Sequence, residues 1–307
     1  MRYPNFSGLL ALLVAVGIWG ASFPVIQAGL GSNPVDVFLL IRFLVASFGI
    51  VPLIMWRGID RRAWSKPGGW ILAGLLYGSL ALQTEGLRLS TPGRVAFLTS
   101  LSVVIVPAID AGLRRRRPQA GTLTAVCLAA AGAGVIYLRS LNHFTPGDTY
   151  SVLCAFGFAA YVLVAERAVR ASEIVNLTAV QLIGVTVLSV LVCGLNGSFS
   201  RVHATPGLLA SATFAGLFAT VVAFGGQLYA QTRIAAVPTS LVLSLEPVIA
   251  GAMSVGLGRD SFGWPLLVGG GMLFGAAIIG QLTEARSPPP GPPQEPEPHP
   301  LGAAGSG

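Results

Sequence analysis

The stretch LTSLSVVIVPAIDAGLRR, residues 98–115, recurs 144 positions later as VLSLEPVIAGAMSVGLGR, residues 242–259. The two copies align without a gap, and eight of their eighteen positions are identical. Apolar sequences match by chance easily, yet this density of identities favours a true duplication. The sequence therefore predicts a chain built from two related halves, which we place at residues 1–143 and 144–286.

The composition around these copies indicates a membrane protein. Of the 307 residues, 53% are hydrophobic and only 10% are charged, and the mean hydropathy is +0.73. A soluble domain carries about 25% charged residues, so the composition excludes an ordinary cytosolic domain, a disordered chain and a nucleic-acid-binding module. The net charge of +7 is explained by Lys and Arg between apolar runs, where cytoplasmic loops collect them. We expect no nucleic acid among the partners.

Apolar runs separated by charged, Pro and Gly residues predict ten membrane-crossing helices, since about 20 apolar residues span the hydrocarbon core. The predicted spans are residues 8–29, 35–56, 69–88, 95–113, 119–138, 148–168, 176–194, 206–229, 238–257 and 264–283. The predicted fold class is an all-α polytopic membrane protein. Because five spans per half is an odd number, the second five-helix repeat must be inverted relative to the first. Inverted repeats are typical of secondary transporters, whose substrate site lies between the halves.

The charges between the spans predict the orientation of the chain. With the N-terminus inside, thirteen Lys and Arg residues lie on the inner side and five on the outer side, while Arg42 lies within a span. This bias follows the positive-inside rule and predicts a multi-pass protein of the cytoplasmic (inner) membrane with both termini cytoplasmic. The Pro-rich tail, residues 287–307, is predicted to be disordered. The three cysteines show neither disulfide nor metal spacing, so we expect no metal site and no cofactor.

Several short motifs resemble those of a known family. They are Trp19–Phe23 (WGASF), Ile41–Leu44 (IRFL), Gln83–Leu87 (QTEGL), Phe97–Leu101 (FLTSL) and Ser244–Val248 (SLEPV). In their order and spacing the chain resembles the drug/metabolite transporter superfamily, in particular ten-span exporters built from two EamA-type domains. The resemblance implies export or exchange of small metabolites, amino acids or drugs, with a small-molecule substrate and the lipid bilayer as partners. It leaves the oligomeric state open.

Polar and aromatic side chains within the spans predict a central cavity, because polar groups in membranes usually face the bundle interior. We expect spans one, three, four, six, eight and nine to line it and spans five and ten to lie peripherally. The candidate substrate-binding residues are Trp19, Ser22, Phe23, Arg42, Gln83, Ser100, Phe158, Tyr161, Gln227 and Ser244. Helix packing is the alternative role for each aromatic residue. Gln83 and Gln227 could instead bond to each other across the two halves.

Ionisable residues within the spans allow alternative interpretations. Arg42 could pair with Glu85 on the next span, or it could face the cavity and bind a carboxylate by a two-pronged contact. Asp110 precedes Arg114 by four residues, which predicts an ion pair at the membrane edge. Glu246, directly before a proline, could satisfy backbone groups that the proline frees, or it could titrate, because burial penalises a charged carboxylate. Glu85 and Glu246 are therefore the candidate coupling or gating residues.

Two other classes of function compete with a transporter. A membrane-embedded enzyme would need a nucleophile, a metal or an acid–base set, but His143, His203 and His299 fall in loops or in the tail. No hydrolase, zinc-protease or phosphate-loop motif occurs, so the sequence predicts that the chain is not an enzyme. A non-transporting scaffold or receptor stays open, because a sequence does not reveal movement. The leading prediction is a secondary transporter working by alternating access, with proton coupling left open.

Overall fold

The computed structural model describes residues 6–58, 60–115, 117–137, 144–256 and 263–286. Within these ranges the chain is helical and contains no β-strand. The predicted tail, residues 287–307, lies outside the described residues, as do the last three residues of the second repeat copy, residues 257–259.

The described residues form thirteen α-helices. They are α1 Phe6–Leu30, α2 Val35–Arg57, α3 Pro67–Leu89, α4 Pro92–Ser100, α5 Ser102–Arg114, α6 Ala120–Tyr137, α7 Pro146–Ala171, α8 Ile174–Leu195, α9 Pro206–Gly216, α10 Ala223–Gln231, α11 Ala236–Leu243, α12 Glu246–Gly256 and α13 Trp264–Arg286. Eight helical segments of the described chain are long and apolar enough to cross a bilayer, and α6 is a shorter apolar helix. The all-helical, polytopic fold is confirmed, while the number of ten crossings stays a prediction.

Two predicted spans are interrupted at equivalent places in the two halves. Helix α4 ends at Ser100 and α5 begins at Ser102. Helix α11 ends at Leu243 and α12 begins at Glu246, which follows Ser102 by 144 residues. Pro247 thus lies in the first turn of α12, where a missing N–H removes no helical hydrogen bond. Pro247 therefore frees no carbonyl inside a continuous helix, because the helix restarts at Glu246.

The backbone at the two breaks is bonded in the same way. The amide of Leu101 donates to the carbonyl three residues earlier at 3.3 Å, and the amide of Leu245 does the same at 3.1 Å. The serine before each break also donates its hydroxyl proton three residues back, at 2.6 Å for Ser100 and 2.7 Å for Ser244. The 144-residue repeat in the sequence is therefore accompanied by a repeat in backbone structure.

Helix contacts between the halves are exchanged in pairs. The 144-residue repeat relates α4 to α11 and α5 to α12. Helix α4 packs against α12, and α11 packs against α5 in the equivalent contact. Helix α3 packs against α7 and α8 much as α9 packs against α1 and α2. Helices α6 and α13 pack closely on each other, with half-exposed side chains such as Leu123 and Phe274 on their outer faces. The predicted peripheral position of spans five and ten is confirmed.

Glycines bring α6 and α13 close together. A Cβ placed on Gly132 would lie 2.7 Å from the carbonyl oxygen of Gly269, and one on Gly269 would lie 2.4 Å from that of Gly132. Larger side chains at these two positions would push the helices apart, as expected for small residues at membrane helix interfaces. Gly134, two residues after Gly132, faces open space instead.

The eighth predicted span changes its winding in the middle. Between α9 and α10 lies a π-helical stretch, Leu217–Val222, which we call the π segment. π-helical turns are rare and occur frequently at functional sites. The π segment contacts α1 and α2, which carry several of the predicted cavity residues.

Candidate substrate cavity

A cavity lies between the two halves, next to both helix breaks. Ser100 and Ser102 flank the first break, and Leu243 and Glu246 flank the second. The complete lining consists of Trp19, Ser22, Arg42, Leu80, Gln83, Thr99, Ser100, Ser102, Phe158, Val162, Phe224, Gln227, Leu243 and Glu246. The cavity therefore combines hydroxyls, amides, aromatic rings, one guanidinium and one carboxylate.

Eight of the twelve predicted site and coupling residues line this cavity. They are Trp19, Ser22, Arg42, Gln83, Ser100, Phe158, Gln227 and Glu246. The substrate contacts of all of them stay predictions. Arg42, itself a predicted cavity residue, lies on span two, which was not among the six spans expected to line the cavity. Seven spans therefore contribute to the lining.

Three of the predicted residues lie behind the cavity wall. Phe23 is 2% exposed and belongs to the apolar core, because it follows Ser22 by about 100° around α1. Tyr161 is fully buried, and its hydroxyl donates to Gln181 at 2.9 Å. Ser244 is bonded to its own helix and is outside the lining. Helix packing, the alternative for each aromatic residue, describes Phe23 and Tyr161.

Glu85 also lies away from the cavity. Its carboxylate pairs with Arg88 one turn later on α3, at 2.8 Å. Because Glu85 follows Gln83 by two positions, it projects about 200° around the helix from that cavity residue. The ion pair between Arg42 and Glu85 is therefore wrong, and Glu85 is not a cavity residue.

Arg42 is the most unusual side chain of the site. It is 1% exposed, and its Nε donates to the Thr220 hydroxyl oxygen at 2.9 Å. Its Nη1 is buried and has no hydrogen-bond partner among the described residues. A buried donor without a partner is costly, and such groups are normally satisfied by protein, water or a ligand. Nη1 therefore keeps an unused donor in a residue that lines the cavity.

Glu246 is the second charged group of the lining. It is the first residue of α12, where the N-terminal end of a helix favours a negative charge. No hydrogen bond or ion pair of its carboxylate is found within the described chain, so it does not pair with Arg42 across the cavity. The interpretation that Glu246 satisfies neighbouring polar groups thus finds no partner in the described structure.

Aromatic rings form one wall of the cavity. The rings of Trp19 and Phe224 lie 4.7 Å apart, and Phe158 stacks on Phe224 at 6.4 Å. The indole Nε1 of Trp19 donates to the carbonyl of Ala219 in the π segment at 2.8 Å. Tyr161 supports Phe224 from behind in an edge-on contact at 5.4 Å. Such a wall suits the apolar part of an amphipathic ligand.

The two glutamines of the repeat both line the cavity but do not bond to each other. Gln227 donates to Gln231 at 3.2 Å, and Gln231 donates to the Val162 carbonyl at 2.7 Å. The direct bond between Gln83 and Gln227 across the halves is therefore wrong. The amide of Gln227 is held by its own helix, which fixes its orientation at the cavity wall.

The repeat itself carries a signal for the lining residues that the sequence reasoning missed. Residues separated by 144 positions line the cavity together in four pairs: Leu80 with Phe224, Gln83 with Gln227, Thr99 with Leu243, and Ser102 with Glu246. Shifting each predicted residue by the repeat length would therefore have found Ser102. Thr220, which contacts Arg42 from behind, has no such signal in the sequence.

Comparison with known proteins identifies the family. The EamA-like transporter family matches residues 6–138 and again residues 145–280. An "Uncharacterized transporter" of Archaeoglobus fulgidus is 26% identical over 246 residues, which are 80% of this chain and 76% of the relative. A solved structure, described only as the crystal structure of a protein, has a similar fold with a TM-score of 0.75 at 18% identity, covering 91% of this chain and 98% of that one. The chain belongs to the EamA-like transporter family.

Proposed function

We propose that this protein is a secondary transporter that exports or exchanges small metabolites, amino acids or drug-like solutes by alternating access. Membership of a transporter family and a relative named as a transporter support the general activity. The observation that carries the site is the cavity between the halves, which is lined by the ionisable residues Arg42 and Glu246 without an ion pair between them in the described structure. Ionisable side chains inside a membrane protein cost free energy, so a purely structural bundle would not be expected to place two of them around one cavity.

The helix breaks supply a physical basis for movement. Broken helices beside a midplane cavity are a recurrent feature of secondary transporters, in which one repeat rocks against the other. We propose ten crossings in two inverted repeats, residues 1–143 and 144–286, in the cytoplasmic membrane with both termini inside. Labelling of a single cysteine introduced at Ser287 tests the orientation, since it should react only from the cytoplasmic side.

Glu246 is the proposed coupling residue. A change in its protonation can drive transport only if the two open states bind the proton differently, since a ligand shifts an equilibrium by its differential affinity. Its place at the restart of a broken helix, inside the cavity, suits such a role. Facilitated exchange without a coupling ion is the competing mechanism.

Flux in proteoliposomes tests these proposals together. A panel of small metabolites is screened with wild type, Arg42→Gln and Glu246→Gln, and Glu85→Gln serves as a control because Glu85 lies outside the cavity. We expect Arg42→Gln to lose most of the flux and Glu246→Gln to lose its dependence on a pH gradient. Wild-type flux that ignores the gradient would remove proton coupling, and unchanged gradient dependence in Glu246→Gln would remove Glu246 as its carrier.

The same experiment addresses the scaffold or receptor alternative. A static bundle would show no flux with wild type, and loss of Arg42 or Glu246 would change only its stability. A transporter variant should instead remain folded while its flux falls. Folded variants with unchanged flux would argue against the cavity as the substrate site.

A further inference from the structure

The π segment holds two side chains of the cavity wall from behind. The Trp19 indole donates to the Ala219 carbonyl at 2.8 Å, and the Arg42 Nε donates to the Thr220 hydroxyl at 2.9 Å. Adjacent residues of one short stretch of unusual helix therefore bind α1 and α2 together. This arrangement links the geometry of the cavity to the winding of the π segment.

The winding also fixes the direction of the Thr220 hydroxyl. The hydroxyl donates its proton to the Ala215 carbonyl, five residues earlier, at 2.8 Å. A spacing of five residues is that of π-helical winding. Since its only proton is used in this bond, the oxygen of Thr220 can meet Arg42 only as an acceptor. Thr220 is fully buried, so water does not compete for that position.

The bond to Thr220 divides the guanidinium into a held edge and a free edge. Nε is occupied by Thr220, whereas Nη1 is buried without a partner in the described structure. An arginine side chain has several rotatable bonds, and Glu246 lines the same cavity. Without an anchor, the guanidinium could swing toward Glu246 and form an internal ion pair in a medium of low dielectric constant. Such a pair would compete with any anionic ligand.

We propose that Thr220 is a positioning residue that aims Arg42 at the anionic group of the substrate and keeps it apart from Glu246. This inference rests on the proposed function, since it assumes that the cavity is the substrate site. It assigns the free Nη edge of Arg42 to a carboxylate or a similar planar anion, which matches the geometry of a guanidinium. The π segment then contributes to substrate recognition and not only to helix packing.

Binding of benzoate and benzamide to the full-length purified protein tests the proposal. The two probes have nearly the same shape and differ in charge, so the ratio of their dissociation constants reports the anion site. We expect wild type to prefer benzoate and Arg42→Gln to lose that preference. Thr220→Val keeps the shape but removes the acceptor, and it should lower the preference about tenfold, the value of a hydrogen bond to a charged group. Thr220→Ser should restore it.

A matched control separates positioning from packing. Thr178 is 5% exposed, and its hydroxyl donates to the Ile174 carbonyl of its own helix at 2.7 Å, outside the cavity. Thr178→Val should leave the benzoate preference unchanged. If Thr220→Val does not fold, Thr220→Ala replaces it, since it also lacks the acceptor.

Each outcome bears on the proposal. An unchanged preference in Thr220→Val or Thr220→Ala would overturn it, and so would an equal loss of affinity for both probes, which a merely structural role predicts. Wild-type protein without a preference for benzoate would overturn it as well. A preference that behaves as expected, together with an absence of flux in proteoliposomes, would instead contradict only the proposed transport function.

Discussion

Helix α7 carries a buried acidic side chain near each end, and the two are bonded in different ways. Near its N-terminus, Asp148 meets the guanidinium of Arg94 through both carboxylate oxygens, and the Nε–Oδ1 distance is 2.6 Å. The side chains of this pair are only 1% and 10% exposed. Near the other end, Glu166 accepts from Arg170 at 2.7 Å and from Arg114 at 3.3 Å, although these arginines are 57% and 46% exposed.

From this contrast we expect the end of α7 at Asp148 to be held more tightly than the end at Glu166. Removing one partner of a buried ion pair is strongly destabilising, because the other charge loses its compensation. The arginines around Glu166 can turn to water when the pair opens, and exposed pairs contribute about 1 kcal/mol or less. Glu166 is also held by the backbone amide of Ala236 at the start of α11, at 3.0 Å. Despite this added bond, we expect the end of α7 at Glu166 to separate more easily in the proposed alternating-access cycle, because its arginine partners can turn to water.

The largest effect is expected from Asp148→Asn. Asparagine keeps the size of the side chain and can still accept from the Thr145 amide, which lies 2.6 Å from the carboxylate. It leaves the charge of Arg94 without this carboxylate in a buried site. We expect the free energy of unfolding to fall by about 3 kcal/mol, measured by circular dichroism during titration of mixed micelles with a denaturing detergent. A loss below about 1 kcal/mol would show that this end is no more tightly held than the other.

Glu166→Gln should have an intermediate effect. The amide oxygen of glutamine can still accept from the Ala236 amide, and Arg114 and Arg170 can find water. We expect the same titration to show a loss of about 1 to 2 kcal/mol. A loss as large as that of Asp148→Asn would contradict the contrast between the two ends.

The smallest effect is expected from Asp110→Asn. Asp110 and Arg114 form the pair that the sequence predicts from their spacing, at 2.7 Å, and Arg114 is half-exposed. We expect a loss of about 0.5 kcal/mol or less at low salt, which should vanish at high ionic strength because exposed charges are screened. A larger loss that persists at high salt would show that Asp110, Arg114, Glu166 and Arg170 act as one buried network.

The sequence predicts the fold well because the bilayer imposes simple rules. Long apolar runs become helices since no other open structure satisfies the backbone in lipid, and within the described residues each predicted span overlaps helical structure. The length of an apolar run does not predict the helix breaks at Leu101 and Leu245. Both lie inside predicted spans, and a proline such as Pro247 inside a span suggests a bend rather than a new helix start.

The site is only partly predictable, because membership of the cavity depends on the angle around each helix. Trp19, Arg42 and Glu246 stand out as aromatic or charged residues in apolar spans, and the structure places them at the cavity. Phe23 is also aromatic and Glu85 is also charged, but neither lines the cavity. Leu80, Thr99 and Phe224 are ordinary residues for a membrane helix, and only the three-dimensional packing brings them to the lining.

The hydrogen bond between Trp19 and the π segment makes the fluorescence of this tryptophan a reporter of the cavity. Of the five tryptophans of the chain, Trp19 lines the cavity, whereas Trp56, Trp70 and Trp264 are 75%, 42% and 59% exposed and Trp64 packs against Trp70 at 6.1 Å. In a variant with the other four replaced by phenylalanine, all tryptophan fluorescence would come from the cavity. An occupant that displaces the indole from its carbonyl partner would shift the emission wavelength, so ligand binding would be visible without a label.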